Sequence, residues 1–200
     1  MKSGPRLIAI LAVAGALSLA ALYVIVQPEG NGSPPKGMPE TARTAQEAIF
    51  GQFKAERTPL PEASFEDGEG QKLTMDAFRG RWVLLNLWAT WCAPCREEMP
   101  SLDRLEAELG DEDFTVVAVS MDRNGVELAR KFLAEVNVTH LALYADPSSK
   151  MMFALKAFGL PTTLLITPQG EIAGRIVGPV DWDAPASRAM LEEARAPSEG

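Results

Sequence analysis

Cysteine and histidine are scarce here: the 200 residues include two cysteines and one histidine, His140. That scarcity argues against a structural zinc site, which normally takes four Cys or His ligands. There is no cluster of Lys or Arg, and the formal net charge is −8, which argues against a nucleic-acid surface. No GxGxxG, Walker or flavin pattern occurs, and Gly51, Gly80 and Gly110 form no nucleotide loop. Ser, Asp and His are not arranged as a hydrolase set, and no internal repeat is visible. No metal and no cofactor is therefore expected.

What is present is a pair of thiols, in Trp91-Cys92-Ala93-Pro94-Cys95. Two thiols separated by two residues can close into a disulfide and open again, so the pair points to thiol–disulfide exchange. A purely structural bridge is the plainer reading, but it would close a tiny loop and constrain the unfolded chain little. A Cu(I) carrier is a third reading, and nothing here supplies further soft ligands. Arg96, not His, follows Cys95, so this is not a haem-attachment sequence.

One long run, Leu7 to Val26, carries no charged side chain. Twenty residues at 1.5 Å rise span roughly 30 Å, the hydrocarbon thickness of a bilayer. Lys2 and Arg6 precede it and Glu29 follows, which places the N-terminus in the cytoplasm and the rest across the membrane. Ala12-Val13-Ala14 and Leu19-Ala20-Ala21 also offer signal-peptide cleavage positions. The apolar run continues past both, which favours a retained anchor. Either way the remainder reaches a compartment where disulfides persist. The expected organisation is a cytoplasmic stretch 1–6, an anchor 7–26, a linker 27–57, one folded domain 58–195 and a tail 196–200. The linker is rich in Gly and Pro, with a possible short helix from Thr41 to Phe53. The length suits one hydrophobic core.

Within the domain, Ser64-Phe65 and Gln71-Lys72-Leu73 around Gly68 and Gly70 predict a hairpin. Thr74 is placed to cap a brief turn through Phe78. Trp82 to Ala89 is continuously apolar, as in a strand covered on both faces. Met99, Leu102, Leu105 and Leu109 recur at helical spacing after the thiols. Further strands are expected over Phe114–Ser120, Leu141–Tyr144, Thr163–Thr167 and Ile172–Val177. Further helices are expected over Val126–Val136, from Ser148 or Ser149 to about Phe158, and over Ala184–Arg195. The alternating half predicts a parallel centre with helices on both faces, and Pro168-Gln169-Gly170 predicts an antiparallel late pair.

This order puts Cys92 at the first exposed position of a helix N-terminus, where free N–H groups and the helix dipole stabilise a thiolate. Its pKa should fall below the free value of about 8.5. Cys95 lies one turn further in and should be more buried. Cys92 is then the attacking thiol and Cys95 the resolving one.

The segments Gly80-Arg81-Trp82-Val83-Leu84-Leu85-Asn86-Leu87-Trp88-Ala89-Thr90-Trp91-Cys92-Ala93-Pro94-Cys95-Arg96-Glu97-Glu98-Met99-Pro100 and Gly159-Leu160-Pro161-Thr162-Thr163 resemble the thioredoxin superfamily. More narrowly, they resemble its membrane-anchored TlpA/ResA-like thiol–disulfide oxidoreductases, over about Thr58 to Ala194. The resemblance implies an α/β thioredoxin-like central mixed sheet with helices on both faces. An N-terminal hairpin and an inserted helix go with it, and a transmembrane helix precedes it. It implies a cis peptide bond at Pro161, opposite the thiols, where the backbone can pair with an extended client segment. Asn86 stands where cytosolic thioredoxins carry a buried Asp, and an amide cannot act as the base. The resemblance puts Glu98 in that part, three residues after Cys95. If Glu98 is buried, its pKa should rise. Glu97 is expected to be solvated, Trp88 to pack, Trp91 to flank the reactive sulfur, Pro100 to kink the helix and His140 to lie on the surface.

The implied activity is a protein-disulfide reductase at the inner membrane with its domain in the periplasm, with Cys92, Cys95, Glu98 and Pro161 as catalytic residues. The implied partners are periplasmic protein disulfides as clients and a DsbD- or CcdA-like membrane thiol donor. Clients in cytochrome c maturation or cytochrome oxidase copper-site assembly are implied. The alternatives are a thiol oxidase or isomerase, a peroxiredoxin-like peroxidase, and the Cu(I) carrier. Oxidases of the DsbA-like type usually carry a His between the cysteines, where this chain has Ala93-Pro94. Peroxiredoxins usually set the attacking Cys in Pro-x-x-x-Thr/Ser-x-x-Cys.

Overall fold

In the computed structural model the described residues are Gly51 and 53–196. The Leu7–Val26 run, most of the possible helix from Thr41, and the end of the tail lie outside them. Among the described residues no helix is long and apolar enough to cross a membrane.

Eight strands form one sheet: β1 (Lys54–Pro59), β2 (Ser64–Asp67), β3 (Lys72–Thr74), β4 (Trp82–Trp88), β5 (Phe114–Ser120), β6 (Tyr144–Ala145), β7 (Thr162–Ile166) and β8 (Glu171–Val177). Their spatial order is β1-β8-β7-β4-β5-β6-β2-β3. The β4, β5 and β6 pairings are parallel, and β4–β7, β7–β8, β1–β8 and β2–β3 are antiparallel. This is the mixed, thioredoxin-like sheet that the apolar runs predict, with an expected hairpin at one edge.

Among the described residues four helices flank it: α1 (Ala93–Leu109), α2 (Val126–Glu135), α3 (Lys150–Ala154) and α4 (Pro185–Arg195). Strand alternation divides the core. Leu84 and Trp88 face Met99, Leu102 and Leu105 of α1, Phe132 of α2 and Met190 of α4. Val83, Leu85 and Leu87 face the other way, onto Met151 of α3, Phe65 and Met75. Asn86, fully buried, falls in the α1-facing row between Leu84 and Trp88. Truncating a side chain such as Leu102, which has no exposed surface, should cost about 2–5 kcal/mol.

Several local expectations change. β1 begins at Lys54, ahead of the expected start near Thr58, and pairs with β8. Phe53 is outside any helix and lies on Gly174, where an added Cβ would come within 2.1 Å of its ring. Only glycine admits that approach. The turn over Met75–Phe78 is a 3-10 turn, and Thr74 makes no side-chain capping bond to it. α3 stops at Ala154, short of Phe158, because Lys156 takes a left-handed φ of 52°. Between β7 and β8, Gly170 (φ 78°) donates to the Thr167 carbonyl and closes the expected turn. Pro100, where a kink is expected, lies inside α1 as expected of a helix that continues past it.

Candidate active site

β4 ends at Trp88, a short turn follows, and α1 begins at Ala93. Cys92 is the N-cap residue, in an extended conformation, and Pro94 occupies the first turn of the helix. The two sulfurs are joined, with a Cα–Cα separation of 5.3 Å. The backbone N–H of Cys95 donates to Cys92 Sγ at 3.3 Å. That N–H and the N-terminus of α1 are thus directed at the Cys92 sulfur. Cys95 has no exposed surface, as expected. Cys92 is itself only 6% exposed, less open than its expected place as the first exposed position. The neighbouring Trp91 is 70% exposed and Trp88 is fully buried. The apolar surface beside the thiols is thus the indole of Trp91, while Trp88 packs on Phe132.

Pro161 follows a cis bond from Leu160 and immediately precedes β7. Leu87 of β4 pairs with Thr162 of β7, so Pro161 and the thiols share one end of the sheet. The Pro161 carbonyl accepts from the N–H of Gly178 at 2.9 Å.

Glu98 is 3% exposed, on the face of α1 that looks toward the sheet. Its Oε1 accepts from Asn86 Nδ2 at 2.7 Å, and its Oε2 accepts from the Val180 N–H at 3.1 Å. Burial pushes its carboxyl up to about 7, and Asn86, Val180 and the Trp182 indole offset this only in part. Glu97 is exposed, as expected of a solvated helix residue.

Two supports were not legible from the sequence. Asp122, 1% exposed, accepts from the Thr90 N–H at 2.9 Å and from the Thr90 hydroxyl at 2.8 Å, and so ties down the turn that carries Cys92. Its only sequence signal is its place just past the carboxyl end of a buried strand, where sites on parallel sheets gather. Thr163 Oγ1 accepts from Asn86 Nδ2 at 2.9 Å, which links β7 to the same polar cluster. His140 is half exposed, and its ring meets Asp103 away from the thiols. Among the described residues no group of three or more His, Cys, Asp or Glu could hold a metal ion.

A buried disulfide across a CxxC at a helix N-terminus, with a carboxyl pushed up to about 7 three residues further along the helix, can accept two electrons as the S–S bond opens and can move a proton nearby. The model of the AhpC/TSA family matches residues 57–175. The "Thiol-disulfide oxidoreductase ResA" of Oceanobacillus iheyensis is 34% identical over 119 residues, 59% of this chain and 60% of that protein. The "Thiol:disulfide interchange protein HelX" of Rhodobacter capsulatus is 34% identical over 150 residues, 74% of this chain and 76% of that protein. The chain spans about three fifths of the length of the first ResA relatives it matches. Among solved structures, a thiol-disulfide oxidoreductase from Bacteroides fragilis superposes with a TM-score of 0.57 at 27% identity, covering 68% of this chain and 98% of that one.

Proposed function

This chain belongs to the AhpC/TSA family and, within the thioredoxin superfamily, to the ResA/TlpA-like thiol-disulfide oxidoreductases; on that premise we propose that it is a protein-disulfide reductase. The observation that carries the reading is the pairing of the two sulfurs at the start of α1, with the buried Glu98 three residues after Cys95 on the same helix. The reduced Cys92 thiolate attacks one sulfur of a client disulfide, the client S–S bond breaks, and the other client sulfur leaves as a thiolate. Cys95 gives its proton to the Glu98 carboxylate and attacks Cys92 Sγ. The reduced client leaves, and the Cys92–Cys95 bond remains, as in the described state. Trp91 and the backbone beside Pro161 form the client-facing rim.

The domain works in the periplasm, tethered by Leu7–Val26, with a DsbD- or CcdA-like membrane dithiol returning the two electrons. The charge-free run with its basic flank supports the tether. Tethering raises the encounter rate with membrane-bound clients, including those of cytochrome c maturation or oxidase copper-site assembly. A peroxidase finds less support: Leu85 and Ala89 stand where a peroxiredoxin places its Pro and Thr or Ser before Cys92.

Client trapping tests this. Cys95→Ser in the full chain should accumulate mixed disulfides through Cys92. Equal trapping by Cys92→Ser, with none by Cys95→Ser, would reverse the two roles. A peroxide-consumption rate exceeding the rate of protein-disulfide reduction would replace the reading with a peroxidase.

A further inference from the structure

We propose that Asn86 is a positioning residue whose side-chain amide turns over to match the protonation state of Glu98. The inference rests on the reading above, in which Glu98 takes and returns a proton. Asn86 lies midway along β4 with no exposed surface. Its Nδ2 donates twice, to Glu98 Oε1 at 2.7 Å and to Thr163 Oγ1 at 2.9 Å. Its Oδ1 has no partner, and among the described residues it is the one buried side-chain acceptor left so. The other two unpaired atoms are the indole nitrogens of Trp88 and Trp182, which only donate.

This arrangement suits a carboxylate. Both Glu98 oxygens receive N–H donors, from Asn86 and Val180. Once the carboxyl binds a proton, the new O–H needs an acceptor, and the groups around it, Asn86, Val180 and the Trp182 indole, all offer N–H. Rotating the Asn86 amide by half a turn exchanges two groups of nearly equal size. Oδ1 then accepts from Glu98 Oε1–H in the place Nδ2 held. The Thr163 hydroxyl fits both states, because it accepts from the amide nitrogen in one and donates to the amide oxygen in the other. The buried carboxyl thereby keeps a partner on both sides of its titration, while the unpaired place passes from Oδ1 to Nδ2, a cost that falls on the protonated state.

Few other charges confuse this titration. β4 and β7 bring no charged side chain. On α1 the charged neighbours are Glu97 and, six residues past Glu98, Arg104; Cys92 and Cys95, ahead of it, titrate only once their disulfide is reduced. On the segment that covers Glu98 the charged neighbours are Asp181 and Asp183. Glu97, Arg104 and Asp181 surround a cavity of about 320 Å³ that reaches Glu98 and Val180, which gives the carboxyl a route to solvent.

The test is a carboxyl and side-chain amide NMR titration of the whole protein across neutral pH. The Asn86 NH2 signals should move with the same midpoint as the Glu98 carboxyl. Asn86→Leu removes a donor that favours the charged form more than the neutral one, so Glu98 should hold its proton about tenfold more tightly. The inflection in the pH–rate profile for disulfide reduction should rise with it. Asn86 signals that stay flat through the Glu98 titration would overturn the proposal, as would an unmoved midpoint in Asn86→Leu. If the variant fails to fold, the titration of the unsubstituted protein decides alone. Coupled titration in a protein that reduces no client would leave this inference standing and sink the functional reading instead.

Discussion

Two carboxylates on one helix have opposite fates. Glu98 and Asp103 both lie on α1, and they are 3% and 6% exposed. Burial pushes both upward, yet only Glu98 rises, to about 7. For Asp103 the burial effect is outweighed by the His140 ring and by the N–H groups of His140, Leu141 and Thr139, which hold it below the usual carboxylate range. Three of those bonds converge on Oδ1, at 2.7 to 3.0 Å. Glu98 has one backbone donor, the Trp182 indole beside it and one amide that can present either face. Burial alone therefore does not fix a carboxyl's charge. Depth and fixed N–H donors act together: Glu98 is the more deeply enclosed and is poised, while Asp103 has more donors and a smaller burial effect and is held as a charge.

The comparison breaks most clearly at Asp103. Asp103→Ala leaves three backbone N–H groups short of an acceptor and should cost about 4 kcal/mol of stability in urea unfolding. The rate of disulfide reduction per folded molecule should be unchanged. A lost rate at preserved stability would mean that Asp103 also serves the thiols.

The pH dependence of stability should separate the two next. Glu98 is raised from 4.5 to about 7, so the folded oxidised protein binds its proton more tightly than the unfolded chain. Its contribution is full below pH 4.5 and is lost as pH rises through about 7, a fall of about 3 kcal/mol. Asp103 has the opposite sign: its contribution is present above its ordinary value and is lost as pH falls through its depressed one. Glu98→Gln should abolish the loss on the neutral side and leave the acid limb in place. Unfolding curves at several pH values measure both. The same Glu98→Gln change should slow client reduction at neutral pH by about a hundredfold, the lower range for a positioned acid–base group. An unaltered rate would reduce Glu98 to a structural residue.

How much of this was legible follows from range. The thiols, β4 and α1 were readable because their signals are local: a continuous apolar run, then Leu and Met at helical spacing. Glu98 was readable from its place one turn after Cys95, and Pro161 only through resemblance. β1 was not, since Lys54–Pro59 is almost wholly exposed and polar, and its pairing with β8 makes it a strand. Nor was the end of α3, which depends on one left-handed residue. The polar supports were the least visible. Thr90 and Asp122 are 32 residues apart, Asp103 and His140 37, and Glu98 and Val180 82. Contacts that distant leave no periodicity, and His140 was read only as a surface side chain.

His140 offers the smallest and sharpest test. Its ring meets Asp103 Oδ2 at 3.0 Å, but it is 55% exposed, so water screens the pair. His140→Ala should cost about 1 kcal/mol or less. The three backbone N–H groups on Oδ1 remain, so Asp103 should stay charged, with its pKa moving only part of the way back toward the ordinary value. The Glu98 titration should not move, because its donors come from β4 and from Val180 and Trp182 rather than from the loop at Thr139–Leu141. Carboxyl resonances followed in the variant read both at once. A shift of the Glu98 midpoint in step with Asp103 would show that α1 couples the two sites, and their opposite charge states could then no longer be assigned to separate sets of donors.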